Sequence, residues 1–362
     1  MDYRPAKILF ILKYREGYGL SREEASSGLL NSARFIVGML ASHGVEVKLV
    51  QVTDNNDIDR EVSQYRPTHA VIEAFWVVPE KFEVLRKLHP TVQWVVRAHS
   101  ELPFFANEGV AMGWLVRYSR QPNVIIAANS EPALRDFRAV VRAANPSWAR
   151  DGTERSVVFL PNFYPVRERR RAVERFGTIA AIHVGCFGAI RPLKNHLLQA
   201  AAALQFAEEE KKFLHFHVNG SRTEQGGDNP LKNLRDLFAA APSVAELVEH
   251  PWMAYQEFLG VLPQIDIGMQ VAFTETFNIV TADMVCAGVP VVVSPEIRWC
   301  SRLSQAQATD SRSMVRAMRR VTGPLGGLAR WLNLRGLRRY ARRSERVWLE
   351  YFLTPKSKLQ TP

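Results

Sequence analysis

Short apolar runs alternate with amphipathic stretches from one end of the chain to the other. KILFIL (7–12) reads as a buried strand, and a loop leads from it into a helix from about Arg22 to His43. In that helix Leu29, Leu30, Ala33, Ile36, Val37 and Leu40 return every three or four residues, the spacing that lines one helical face. His43-Gly44 ends it, because glycine takes the left-handed conformation at a helix C-terminus without steric cost. VEVKLVQV, HAVIEAF, QWVVRAH, NVIIAAN and VVFLPN follow as further short strands.

The rhythm then restarts. TIAAIHVGCFG is a strand running into a glycine-bearing turn, HLLQAAAALQFAEEEKK an alanine-rich helix and FLHFHVNG a strand. KNLRDLFAAA, AELVEHP, YQEFLGVLPQ, IDIGMQV, a helix from Asn278 to Ala287 and VPVVVSP complete it. Strands alternating with helices predict an α/β protein with parallel sheets. Two such runs predict two Rossmann-like domains, 1–165 and 176–325, joined near PVRERRRAVERFG. Facing one another, such domains leave a cleft at the carboxyl ends of their strands, where open α/β sheets bind ligands. Residues 326–362 differ: Leu328, Trp331, Leu332, Leu334, Leu337, Tyr340, Val347, Trp348, Tyr351 and Phe352 are spaced as one face of an amphipathic helix. That apolar face is expected to pack back on the domains, with lying in a lipid interface as the alternative, and with arginines on the other side.

A length of 362 residues suits two domains of ordinary size, and 47% hydrophobic with 23% charged residues excludes a disordered or fibrous chain. No apolar run approaches the ~20 residues of a membrane-spanning helix, and the N-terminal ILFIL has no small-residue cleavage site after it. Cys186, Cys286 and Cys300 are odd in number and widely spaced, which suits buried thiols in a reducing compartment better than a disulfide framework or a zinc site. The expectation is a soluble, cytoplasmic protein.

Charge is concentrated. Of a net +11, nearly all comes from eleven arginines between Ser311 and Arg346, which stand against one acid, Glu345. Arg167, Arg169, Arg170, Arg171 and Arg175 form a second cluster. Such a patch implies a polyanionic partner, either nucleic acid (DNA) or an anionic membrane surface, with Arg335, Arg338, Arg339, Arg342 and Arg343 as its contacts. A solvated helix face is the alternative.

Two loops carry chemistry. In GCFGAIRPLKN, Gly185 and Gly188 end a strand and open towards a helix, with Arg191 and Lys194 just beyond. Amides at a helix start favour phosphate, and two cations so spaced can clamp a diphosphate. In FTETFNIVTADMVCAGVPVVVS, Glu275 and Asp283 are eight apart, so a helix over the segment carries both on roughly one face, about 12 Å apart along its axis. Glu275, at its N-terminal end, is placed to accept bonds from sugar hydroxyls. Acids favoured there by the helix dipole alone are the alternative. Elsewhere His99 ends the strand QWVVRAH, and Asn219 and Arg222 follow FLHFHVNG, within reach of a nucleotide or phosphate. Glu23, Glu24, Ser26, Ser27 and Gly28 lie in the first strand-to-helix loop, where an acceptor would bind. Asp57-Ile-Asp59 is formally a D-x-D, read as a solvated turn.

In this order the two loops resemble the C-terminal domain of GT-B glycosyltransferases, especially retaining family 4 enzymes. These carry a G-x-x-x-x-K-G/N loop, then an E-x7-E segment followed by A-x-G-x-P-V-V. The matching residues are Gly185, Arg191, Lys194 and Asn195, then Glu275, Phe277, Asp283, Ala287, Gly288, Pro290 and Val291. PNFYP (161–165) resembles the family's P-N-G before the domain linker, and His99 is placed as the family's active-site histidine. The match spans most of the chain and is strongest from about residue 157 to 296.

The resemblance implies a nucleotide-sugar donor, a UDP-sugar as co-substrate, used with retention and without metal or cofactor. Arg191 and Lys194 would neutralise the departing diphosphate. Glu275 would hold the sugar hydroxyls and Asp283 the ribose, with Gly188, Asn195, Asn219, Arg222, Phe277 and Asn278 completing the donor site and His99 at the reacting centre. Asp283 stands where the family has glutamate, and Asn278 where glycine is usual. The loop set also resembles phage-encoded glycosyltransferases, which attach sugars to hydroxymethylated bases in DNA. The arginine tail fits such an acceptor, and host cytoplasm would then be the place of action. A lipid-linked or cell-surface glycan is the alternative acceptor. A non-catalytic DNA-binding protein and a nucleotide-sugar epimerase are the alternative functions on this fold.

Overall fold

The structure, a computed structural model, describes residues 6–14, 27–148, 152, 155–168 and 180–353. Glu23, Glu24 and Ser26 of the expected acceptor loop, and Arg169, Arg170, Arg171 and Arg175, lie outside the described residues. Two compact units divide the chain: the first takes the N-terminal segment, 27–165 and everything from 341 on, the second takes 166–340.

The strands of the first unit are β1 (Lys7–Lys13), β2 (Glu46–Val52), β3 (His69–Glu73), β4 (Gln93–Ala98), β5 (Val124–Ala128) and β6 (Val157–Phe159). They pair in parallel in the order β2-β1-β3-β4-β5-β6. In β1, Leu9 and Ile11 pack on one side with Ile72 and Val96, and Ile8 and Phe10 on the other with Val71 and Val95. Both faces of the sheet are buried, which is why these strands read as unbroken apolar runs. Helices α1 (Gly28–Ser42), α2 (Asp57–Tyr65), α3 (Lys81–Leu88), α4 (Ala111–Ser119) and α5 (Glu131–Ala144) make the crossovers. Ser27 caps α1, its Oγ accepting the Leu30 amide at 3.1 Å, and Gly44 leaves the helix at φ +76° as expected. The D-x-D is a helix start: Asp57 accepts the Thr53 amide at 2.9 Å and Asp59 lies 2.7 Å from His89.

The second unit has β7 (Ala181–Gly185), β8 (Phe213–Val218), β9 (Ala245–Glu249), β10 (Ile267–Gln270) and β11 (Val291–Val293). These are parallel and ordered β11-β10-β7-β8-β9. With them go α6 (His196–Glu209), α7 (Asp228–Ala239), α8 (Tyr255–Val261), α9 (Ile279–Cys286) and α10 (Ser311–Thr322). Val184, Phe216, Met269 and Val292 form its core with Ala203 and Phe206 of α6 and Met314 and Met318 of α10. The strand order turns back on itself between β7 and β10, as it does between β1 and β3 in the first unit. At such a reversal neighbouring crossovers leave on opposite faces and open a crevice beyond the strand ends, where sheets of this kind take ligands. The expected class, α/β with two Rossmann-like sheets and a C-terminal helix, is what the chain adopts.

That last helix, α11 (Gly326–Leu353), runs 28 residues. Its residues to Tyr340 belong to the second unit and those from Ala341 to the first. Ala329, Asn333, Leu337, Ala341, Ser344, Trp348 and Phe352 are buried, whereas Leu328 and Trp331 are 48% and 53% exposed. Leu337, Trp348 and Phe352 thus lie inward as expected, and the expectation is corrected at Leu328 and Trp331. A Cβ on Gly336 would lie 2.1 Å from the Trp299 carbonyl oxygen, so backbone approaches the helix on its small-residue side. Asn333 is satisfied there, accepting the Ser301 amide and donating to Ser304 Oγ, both at 2.8 Å. Among the described residues no helix is long and apolar enough to cross a membrane.

Candidate active site

In the second unit, β7 ends at Gly185 and β10 at Gln270, on either side of the reversal. The loops beyond them are knit together. The Phe273 amide donates to the Leu193 carbonyl at 3.0 Å, Asn195 Nδ2 to the Val271 carbonyl at 3.1 Å, and Gln199 Oε1 accepts the Val271 amide at 2.8 Å. These bonds bring Lys194, in the 3-10 turn Pro192–Lys194, onto Glu275, whose Oε1 accepts from its Nζ. Asn278 holds the same carboxylate, donating from Nδ2 to Glu275 Oε1 at 3.1 Å and to Gln270 Oε1 at 2.8 Å. Its Oδ1 accepts the Thr281 amide at 2.8 Å and so caps α9. The Asn278 φ is +63°, backbone that glycine favours and asparagine tolerates, which accounts for asparagine where the resembled family has glycine.

Arg191 is placed by the neighbouring loop. The Ile190 amide donates to the Arg222 carbonyl at 2.9 Å, and the Glu224 amide to the Ile190 carbonyl at 3.0 Å. Arg191 thereby pairs with Glu224, which also accepts Arg222 Nε at 2.7 Å. The Arg222 guanidinium lies 4.0 Å over the Trp252 ring. Burial pushes the Glu224 carboxyl up, but Arg191 and Arg222 outweigh it and hold it below the usual carboxylate range. Arg191, Arg222 and Lys194 are thus gathered with Glu224 and Glu275 beyond the ends of β7 and β8. Burial, with Lys194 adding to it, pushes His196 down to about 3 and keeps it neutral. Burial pushes the Cys186 thiol up to about 12 against the pull of Lys194, so it stays protonated.

Several residues expected at the donor site have partners within the protein. Asn195 spends Nδ2 on Val271 and on the Ala308 carbonyl at 2.7 Å. Phe277 is fully buried and stacked on Tyr340, ring centroids 4.9 Å apart. Asn219 Oδ1 accepts the Gly188 amide at 2.8 Å, so that amide is already satisfied by the protein, and Gly188 turns the loop at φ +109°. Nor do Glu275 and Asp283 share a helix face: α9 begins at Ile279, beyond Glu275. Asp283 is buried within it and accepts the Tyr255 hydroxyl at 2.6 Å.

In the first unit, β3 ends at Glu73 and β4 delivers Arg97 and His99. Glu73 and Arg97 have no exposed surface. Arg97 Nη1 donates to both Glu73 oxygens at 3.2 and 3.0 Å, Nε donates to the Leu160 carbonyl at 3.2 Å, and Nη2 to Asn162 Oδ1. Trp348 covers the guanidinium, 5.3 Å from its ring, and donates Nε1 to the Pro161 carbonyl at 2.7 Å. Glu73 Oε2 also meets His99 Nε2. An ionised carboxylate only accepts, so Nε2 carries the proton and Nδ1 is the acceptor nitrogen of the neutral ring. Burial and then Arg97 lower the His99 pKa, while Glu73 opposes them. Burial likewise raises Glu73, but Arg97 and His99 prevail and hold it below its ordinary value.

Glu73, Arg97, Glu224 and Gln270 escaped the reading of the sequence, and Asn162 entered it only as part of PNFYP. Arg97 and Glu73 left a signal: an arginine inside QWVVRAH and an acid closing HAVIE are charges in buried strands, which need partners. Glu224 left none. Among the described residues no group of three or more His, Cys, Asp or Glu is gathered as for a metal ion. Arg335, Arg338, Arg339, Arg342 and Arg343 are all exposed; Arg338 pairs with Glu168 and Arg343 with Glu131, and no ion pair engages the other three among the described residues.

As a fold, these two parallel-sheet units are those of the GT-B glycosyltransferases. No protein-family model matches the chain, and no curated protein matches its sequence. Among solved structures it is similar to an α,α-trehalose-phosphate synthase (UDP-forming) from Burkholderia vietnamiensis, with a TM-score of 0.70 and 10% identity over 97% of each chain. It is similar to the N-terminal domain of Candida albicans trehalose-6-phosphate phosphatase, with a TM-score of 0.69 and 11% identity over 97% of this chain and 96% of that one. A third is the Escherichia coli structure described as trehalose-6-phosphate bound with UDP-2-fluoro glucose, with a TM-score of 0.67 and 11% identity over 96% and 98%.

Proposed function

We propose that the chain is a glycosyltransferase that takes a sugar from a uridine-diphosphate donor with retention of anomeric configuration. The observation that carries this reading is the pair of cations beyond β7, Arg191 and Lys194, each resting on an acid and knit to the loop of Glu275. Breaking the sugar–phosphate bond leaves extra negative charge on the diphosphate, and preorganised cations stabilise that charge as it develops. The diphosphate takes over Lys194 from Glu275, and Asn278 keeps the freed carboxylate in place to accept sugar hydroxyls. In the first unit, His99, its ring held by Glu73, stands at the reacting centre. Uridine and retention are supported by the names of the similar structures, which include a UDP-forming synthase and a study of glycosyl transfer with retention.

For the acceptor, those names favour a sugar phosphate. The hydroxymethylated DNA base rests on the arginine face and the phage resemblance of the loops, and no similar structure supports it, so a hydroxyl of a sugar or sugar phosphate is the acceptor proposed. A donor that binds only the folded chain raises its melting temperature by mass action. UDP-glucose and related nucleotide sugars are expected to do so, and to release UDP in the presence of a panel of hexose phosphates. A melting curve unmoved by every nucleotide sugar overturns the reading. Glucosylation of hydroxymethylated duplex DNA, with hexose phosphates inert, returns the acceptor to DNA.

A further inference from the structure

The solvent face of α11 carries more than charge. Leu325, just before the helix, and Leu328 and Trp331 within it are 45%, 48% and 53% exposed. At 100° per residue Leu328, Trp331, Arg335 and Arg339 fall on one side of the helix, opposite the buried Asn333 and Leu337. The Arg335 guanidinium lies 5.2 Å from the Trp331 ring. Arg335 and Arg339 have no ion pair among the described residues, unlike Arg316, Arg319 and Arg338. Water is a poor partner for three large apolar side chains in a row, and a nucleic-acid backbone satisfies the arginines without covering the leucines.

We propose that this face, Leu325 to Arg339, docks on an anionic lipid bilayer. Leu325, Leu328 and Trp331 enter the boundary between headgroups and acyl chains, where an indole is favoured, and Arg335 and Arg339 bind lipid phosphates above it. The contact is peripheral, adds to the affinity of each element the other's, and is independent of the donor reading.

The test is sedimentation of the full chain with phosphatidylcholine vesicles containing about a third phosphatidylglycerol, at low salt. The chain is expected to sediment with these and to stay in solution with pure phosphatidylcholine. Leu328→Ser with Trp331→Ser is expected to weaken binding roughly tenfold at an unchanged melting temperature. Arg335→Glu with Arg339→Glu is expected to abolish it. Two results overturn the proposal: no sedimentation of the unaltered chain, or the serine pair binding as tightly as the original. In the second case, displacement of the vesicles by duplex DNA assigns the arginines to nucleic acid. The melting shift with UDP-glucose, read on the same preparations, reports on the donor site separately.

Discussion

Lys194 and Glu275, 81 residues apart in sequence, meet in an ion pair on the oxygen that Asn278 also holds. On the proposed function, Lys194→Ala therefore removes a diphosphate cation without dismantling the loop that carries the acid. Turnover is expected to fall by roughly 10²–10³-fold, the usual cost of losing one electrostatic contact to a transition state. Melting without ligand should change little, because part-exposed ion pairs contribute about 1 kcal/mol or less. Calorimetric binding of UDP and UDP release from a donor check both halves.

Glu73 serves Arg97 and His99 at once, and the two roles separate by substitution. Glu73→Gln leaves Arg97 buried without its counter-charge, at a cost of about 3–5 kcal/mol in a urea melt. It also takes away the carboxylate that draws the His99 pKa upward, so the acid limb of the pH–rate profile is expected to move to lower pH. His99→Asn keeps the ion pair and should spare stability while reducing turnover. A Glu73→Gln profile that superimposes on the original would make Glu73 purely structural.

Alanine normally stabilises a helix interior over glycine by about 1 kcal/mol. At Gly336 the sign is expected to reverse, because the new Cβ would fall 2.1 Å from the Trp299 carbonyl oxygen. A loss of about 1–3 kcal/mol is expected for this overpacking. Thermal unfolding of Gly336→Ala against Gly327→Ala, where the helix is open, gives the comparison.

Acid should loosen the second unit early. His196 and His217 are both pushed from 6.5 down to about 3, by burial first, then by Lys194 beside one and by His250 and His183 beside the other. His217 lies 3.0 Å from His183 and 2.9 Å from His250, ring nitrogen to ring nitrogen. The unfolded chain takes up protons below 6.5 that the folded chain refuses until about 3. Stability is then complete above 6.5 and declines through that window, by roughly one proton for each of the two rings. Urea midpoints measured from pH 7.5 to pH 4.5 should fall steadily, and a flat series would sink the assignment.

The strands were legible because parallel strands buried on both faces leave unbroken apolar runs, as in KILFIL and VVFLPN. The cation loop was legible too, since Gly185 through Lys194 is local and sits at a strand end. What failed was phase and partnership. Helix α9 starts at Ile279 because Asn278 caps it from a left-handed conformation, and nothing in the spacing of Glu275 and Asp283 reveals that. In α11, hydrophobicity chose Leu328 and Trp331 along with Leu337, whereas backbone proximity at Gly336 goes with burial of Ala329 and Asn333. Glu73 and Arg97 stand on separate strands, and only the register of β3 on β4 pairs them.

Trp348 and Phe352 close the face of the first sheet to which Ile8 and Phe10 belong. More than 300 residues of chain separate that sheet's opening strand from its cover. The first unit thus completes its interior only after the whole second unit has been synthesised, and a nascent chain stalled at residue 165 presents an uncovered sheet to chaperones.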